Sequence, residues 1–184
     1  IKVAEKIAKI TPGRLQSCFF TNSGTESNET AIMAARMYTG NTDIIALRHA
    51  YSGRTSTAMS VTAHGTWRLG NVFDGYIKHV RNPYTYRRPE SMSEEQFLDF
   101  CVAEVEEVLA TVTSGKVAAF MAEPIQGVGG FIVAPKEYFK RIQPIIKAAG
   151  GVMIIDEVQT GWGRTGKHWC GIEHWSIEPD IMVF

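Results

Sequence analysis

The chain has 184 residues, of which 45% are hydrophobic and 21% charged, enough to bury one sizeable core in a single globular domain. Nineteen basic residues balance 19 acidic ones, which provides no field to draw nucleic acid or an anionic membrane, and no apolar run is long enough to cross a bilayer. Small molecules are therefore the expected partners. Cys18, Cys101 and Cys170 stand far apart with no CxxC pair, so neither a disulfide framework nor a zinc site is expected, and a reducing compartment fits.

Residues 1–9 read as an amphipathic helical stretch carrying Lys2, Glu5, Lys6 and Lys9. The chain opens inside this pattern without Met and stops inside the apolar run 181–184, which reads as a strand beginning; an excerpt truncated at both ends is expected. After the apolar run Cys18-Phe19-Phe20, helical spacing of Ala31, Ile32, Ala34, Ala35 and Met37 predicts a helix from near Glu26, closed by Gly40. Residues 43–47, 76–80, 117–122 and 152–155 are short apolar or β-branched runs bounded by turn-forming or charged residues, as buried strands would be.

Residues 94–113 predict a helix with Phe97, Phe100, Cys101, Val105, Val108 and Leu109 on one face. A further helix is predicted over 136–149, opened by Pro135 and closed by Gly150 and Gly151. The Pro- and Arg-rich stretch 81–93 reads as a surface loop rather than a domain boundary. Strands alternating with helices imply an α/β fold with a mostly parallel sheet covered on both faces, whose ligands bind at the carboxyl ends of the strands.

Three segments could carry chemistry. Asn22-Ser23-Gly24-Thr25-Glu26 gathers backbone amides and two hydroxyls at a helix start, which makes either an anion site or a plain cap through Ser23 or Thr25. Asp156-Glu157 ends a buried apolar strand, where a carboxylate needs a cation or a metal unless it simply starts an exposed turn. Glu123-Pro124 repeats that arrangement after residues 117–122. The run 161–167 matches GxGxxG and nearly a P-loop, but His168 stands where a magnesium-holding Ser or Thr is required and no strand enters Gly161. Nucleotide binding is not expected.

Four motifs in this order carry a resemblance over essentially the whole chain. They are Ser-Gly-Thr-Glu at 23–26, Tyr-x-Gly-Arg-Thr at 51–55, Glu-Pro-Ile-Gln-Gly at 123–127, and Ile-Asp-Glu-Val-Gln-Thr-Gly-x-Gly-Arg-Thr-Gly at 155–166. The chain resembles the class III (ω-amino acid) aminotransferases, pyridoxal-phosphate (PLP) enzymes of fold type I. That resemblance implies that residues 1–184 form part of the PLP-binding large domain, a three-layer α/β sandwich from a homodimer that moves an amino group from an amino donor to a keto acid.

The resemblance also implies residue roles. Ser23, Gly24 and Thr25 would hold the coenzyme phosphate, with the amides of Gly24 and Thr25 as donors. Tyr51 would stack on the pyridine ring, Val158 would pack on its other face, and Gln159 would bind the phenolic oxygen. Asp156 would be the catalytic carboxylate paired with the ring nitrogen, keeping the ring an electron sink. Arg54 would clamp a substrate carboxylate, with an exposed structural arginine as the alternative. Glu123 would support the surroundings of Gln159 without carrying protons, and residues 161–166 would form a structural turn.

Two departures matter. Val128 replaces a glutamate found in relatives acting on ornithine or 4-aminobutyrate, which makes the alanine-glyoxylate aminotransferase 2-like branch the nearer match. The family's coenzyme lysine follows Pro-Asp-x-x-x-Phe; Pro179, Asp180 and Phe184 fit that approach, and the lysine is expected just beyond, Lys167 being a poor substitute after its glycine turn. A racemase, aminomutase or decarboxylase on the same scaffold, or a PLP-binding relic, remain the alternatives. With no targeting signal in the stretch, cytoplasm or the mitochondrial matrix is expected.

Overall fold

The computed structural model describes residues 1–70 and 74–184. In chain order the regular elements are α1 (Lys2–Ile10), α2 (Gly24–Thr39), β1 (Ile44–Leu47), α3 (Ser56–Val61), β2 (Ile77–Val80), α4 (Glu94–Val112), β3 (Ala119–Ala122), β4 (Ile125–Gln126), β5 (Ile132–Val133), α5 (Tyr138–Ala148), β6 (Val152–Asp156) and β7 (Ile181–Val183). Five strands form one parallel sheet in the order β2-β1-β3-β6-β7, while β4 and β5 make a small antiparallel hairpin.

Strands β1 and β3 are apolar at every position, and β6 up to its final Asp156, because both sheet faces are covered. Side chains alternate across the sheet. Ile44, Ala46, Ala119, Met121, Val152 and Ile154 pack with Ala31, Ile32 and Ala35 of α2 and Val61 of α3. Ile45, Leu47, Phe120, Ala122, Met153 and Ile155 face the other way, onto Phe97, Cys101 and Val105 of α4 and Phe139, Ile142 and Ile146 of α5. The result is the expected three-layer α/β arrangement. Each fully buried side chain of this size stabilises the fold by roughly 1.5–3 kcal/mol.

Local chemistry sets the helix ends. Ser93 and Gln96 exchange hydrogen bonds in a capping box at the start of α4. Gly40 ends α2 in the left-handed region at φ 69, its N–H donated to Arg36 O. α2 begins at Gly24, with Ser23 as its cap, earlier than the sequence pattern indicated.

One residue expected on the buried face of α4 is outside. Phe100 is 42% exposed, with the Arg81 guanidinium 5.2 Å from its ring centroid. The buried stripe of α4 is Phe97, Leu98, Cys101, Val102, Val105 and Leu109, and at 100° per residue Phe100 points roughly 130° away from its middle. Val108 sits at the stripe's edge and is only partly buried. The stretch 81–93 is largely a surface loop, but Asn82 is buried and donates its side-chain amide to Gln126 Oε1.

Candidate active site

In the sheet order, the chain passes from β1 to β2 on one side and then to β3 on the other, so a crevice opens between β1 and β3 at their carboxyl ends. The loops that follow β1, β3 and β6 meet there with the start of α2, and they carry every site residue singled out in the sequence.

At α2 the Ser23 hydroxyl accepts the Glu26 N–H at 3.2 Å, so the cap is real. The N–H groups of Gly24 and Thr25 have no acceptor among the described residues. Such free first-turn donors, together with the helix dipole, favour an anion. Ser23 therefore caps the helix and leaves these two donors free.

Asp156 ends β6 and is only 5% exposed. Its Oδ2 accepts from Asn28 Nδ2 at 2.8 Å, and its Oδ1 from the Val158 N–H at 3.0 Å. No cationic side chain pairs with it among the described residues. Burial raises its pKa to about 6, against the lowering effect of those two donors. Glu123, at the end of β3, is likewise buried and pushed to about 7 by burial, with Asp156 adding to the rise. Its oxygens accept the N–H of Tyr51 at 3.0 Å and of Gly127 at 2.9 Å. Glu123 thus anchors the backbone that carries Tyr51.

Gly24 is small enough for Val158 to lie against it: a Cβ at Gly24 would come within 3.0 Å of Val158 Cγ2. Val158 and Gln159 are both exposed. Gln159 reaches over Gly127, where a Cβ would overlap its side-chain amide. Tyr51 meets Trp67 edge-on with centroids 5.7 Å apart, and the Arg54 guanidinium lies 5.7 Å from the same Trp67 ring. Arg54 is exposed and has no carboxylate partner among the described residues. The approach of Val158 to Gly24 and the Val158 N–H to Asp156 hydrogen bond join the start of α2 to the end of β6, Glu123 binds the Tyr51 backbone, Gln159 lies over Gly127, and Arg54 stands exposed beside Trp67.

Sequence reasoning treated Asp156 and Glu157 as one feature, but the fold separates them. Glu157 is fully buried and accepts from Thr160 Oγ1 at 2.5 Å and from the N–H groups of Gly171 and Ile172, both at 2.8 Å. It ties down the glycine turn and faces no ligand. The turn 161–166 is wound by Arg164 N to Gly161 O and Gly166 N to Gly163 O, and only a 3-10 turn, Gly171–Trp175, follows it. That backbone cannot cradle a nucleotide as a P-loop does, because the loop is not followed by a helix. Lys167 is exposed beyond this turn.

Asn28 and Trp67 were missed. Asn28 had a signal: it lies three and four residues before Ala31 and Ile32, on the buried stripe of α2, where an amide needs a polar partner. Trp67 lies in a 3-10 turn with no periodic pattern to mark it.

The approach of the β1 loop to α2 depends on Gly53. It has φ +129, and a Cβ there would overlap Thr25 Oγ1 and lie 2.8 Å from Thr25 Cγ2. Gly53→Ala should cost roughly 2 kcal/mol or more in thermal unfolding, because the β1 loop must move off α2. Gly40→Ala, at φ +69 with open space around it, should cost only about 1 kcal/mol. Equal losses for the two variants would count against the close-approach role of Gly53.

Free helix amides that favour an anion and a buried carboxylate that favours a cation thus stand at the carboxyl edge of a parallel sheet, where α/β proteins bind their ligands. The sequence matches the family model for class-III aminotransferases over residues 1–184, and the chain belongs to that family. It is 38% identical over 180 residues to the mitochondrial alanine-glyoxylate aminotransferase 2 homolog 2 of Arabidopsis thaliana, which covers 98% of this chain and 36% of the relative. It is 36% identical over 185 residues to the leucine/methionine racemase of Thermococcus litoralis, covering 98% of this chain and 41% of that protein. The solved (S)-enantioselective omega-transaminase of Thermomicrobium roseum superposes with a TM-score of 0.91 at 37% identity, over 98% of this chain and 42% of that one. The chain therefore spans about two fifths of the length of these relatives.

Proposed function

We propose that this chain is the coenzyme-binding part of a PLP-dependent aminotransferase that moves an amino group from an amino donor to a keto acid. The observation that carries this is the pairing of two unsatisfied amides, Gly24 and Thr25, with the buried, cation-free Asp156 on the same crevice. The donor set suits PLP at both ends: amides for a phosphate and a carboxylate for a protonated ring nitrogen.

When bound, PLP supplies an electron sink that stabilises negative charge at the substrate carbon. Asp156 holds a proton on the ring nitrogen from Oδ1 or Oδ2, and Asn28 and the Val158 N–H keep that carboxylate in place. Gly24 and Thr25, capped by Ser23, fix the phosphate. Tyr51, pinned by Glu123, and Val158 would hold the coenzyme ring and exclude water, and Gln159 would donate to its phenolic oxygen. Arg54, held beside Trp67, orients a substrate carboxylate.

Val128, in the turn between β4 and β5, supports a substrate range nearer the alanine-glyoxylate relatives than the 4-aminobutyrate enzymes. A homodimer in the cytoplasm or mitochondrial matrix completes the proposal; three of the relatives are named mitochondrial.

The test uses a polypeptide of full family length carrying these residues, supplied with PLP, a 15N-labelled amino donor and a keto acid. Label should appear in a new amino acid only when the keto acid is present. Inversion of the donor without any acceptor would instead make it a racemase, the activity named for the Thermococcus relative.

A further inference from the structure

Asn28 belongs to none of the motifs, yet it is the residue that joins three parts of the cleft. It lies one turn into α2 and is 2% exposed. Its Nδ2 donates to Asp156 Oδ2 at 2.8 Å and to Ser52 O at 2.9 Å. Ser52 follows Tyr51 directly, and its own N–H is donated to Thr62 Oγ1 at 2.9 Å, so this stretch of backbone is clamped on both sides.

The Ser52 carbonyl can only accept, so it fixes which end of the Asn28 amide faces Asp156. The amide presents nitrogen to both neighbours and cannot turn its oxygen to the carboxyl without losing Ser52. In consequence Asn28 Oδ1 is buried without a partner. Leaving a buried acceptor unpaired costs about 1–3 kcal/mol, so packing alone does not account for an asparagine here. What the orientation achieves is a hydrogen-bond donor aimed at Asp156, which favours the ionised carboxylate in a place where burial favours the neutral acid.

We infer that Asn28 is a positioning residue that keeps Asp156 ionised and sets it relative to the Tyr51 backbone, so that the ring nitrogen of the coenzyme is met by an anion. This rests on the reading of the cleft as a PLP site. One rigid helix then carries both the amides for the phosphate, at Gly24 and Thr25, and the amide that orients the carboxylate at the other end of the coenzyme. Asn28 acts through Asp156 and touches no reacting atom.

The experiment measures equilibrium binding of PLP and of its 1-deaza analogue, in which a CH replaces the ring nitrogen, to the full-length protein and its Asn28→Leu variant. The variant removes the donor at nearly constant volume and adds no charge. PLP should bind roughly 10- to 100-fold more weakly to the variant, the worth of a hydrogen bond to a charged group, while the analogue should change by about twofold or less. The 15N shift of ring-labelled PLP should read protonated in the parent and neutral in the variant. Should Asn28→Leu fail to fold, as judged by its thermal transition, Asn28→Ser removes the reach to Asp156 and is read in the same way. Equal weakening of both ligands, or an unchanged protonated 15N signal, overturns the inference and leaves Asn28 a structural residue. Failure of the parent protein to bind either ligand overturns the coenzyme reading of the cleft, and the inference with it.

Discussion

Asp156→Asn is expected to lower amino transfer by roughly 10²–10³-fold in the full-length protein, the usual loss when one preorganised electrostatic partner is removed. The substitution preserves shape and burial, and an amide cannot hold a proton on the ring nitrogen. The pH dependence should change as well. Burial holds the Asp156 pKa near 6 in the coenzyme-free chain, so a proton competes with the cationic ring below that pH. Coenzyme affinity in the parent should fall by about tenfold per pH unit as pH drops below about 6, and the Asp156→Asn variant should lack this slope.

The same groups have the opposite effect on the coenzyme-free fold. Asp156 and Glu123 both have folded pKa values raised by burial, to about 6 and about 7. Their contribution to stability is therefore fully present below their unfolded values near 4 and is lost as pH rises through 6 to 7. Coenzyme should thus stabilise the protein more at pH 8 than at pH 5. A stabilisation by coenzyme that does not depend on pH across this range would contradict the assignment of Asp156.

Glu157→Ala is expected to destabilise the protein by roughly 3–5 kcal/mol, seen as a large drop in the unfolding transition. Removing this carboxylate strands the buried N–H groups of Gly171 and Ile172 and the Thr160 hydroxyl, and it frees the segment between β6 and the 3-10 turn. Glu157→Gln keeps one acceptor oxygen but turns an NH2 toward a donor, so its loss should be smaller, about 1–3 kcal/mol. Because Glu157 faces no ligand, the coenzyme affinity of whatever fraction stays folded should change far less than in Asp156→Asn. Similar losses in affinity for the two variants would mean that the division of labour between these neighbours is wrong.

The strands could be read from the sequence because both faces of a parallel sheet are buried, so β1, β3 and β6 up to Asp156 are short apolar runs. The helix over 94–113 was equally legible, but the placing of Phe100 was not, because the 100° step of the helix turns Phe100 to the surface, where Arg81 covers it. The hairpin of β4 and β5 has two-residue strands and the turns at Gly65–Trp67 and Gly171–Trp175 have no repeat, so no periodic signal existed for them. In the site, a carboxylate ending an apolar strand marked Asp156 and Glu123. The separate fate of Glu157, the bracket made by Asn28 and the contact of Gly53 with Thr25 all arise from tertiary approach between segments distant in the chain. Local pattern does not encode such contacts.

The central claim is that one cleft holds PLP with its phosphate on α2 and its ring nitrogen on Asp156, and a crystal structure of the full-length protein grown with PLP tests it most directly. The expected result is phosphate oxygens within hydrogen-bond distance of the Gly24 and Thr25 amides, and the ring nitrogen within hydrogen-bond distance of an Asp156 carboxylate oxygen. Coenzyme bound elsewhere, or bound in this cleft with its phosphate away from α2, would contradict the account.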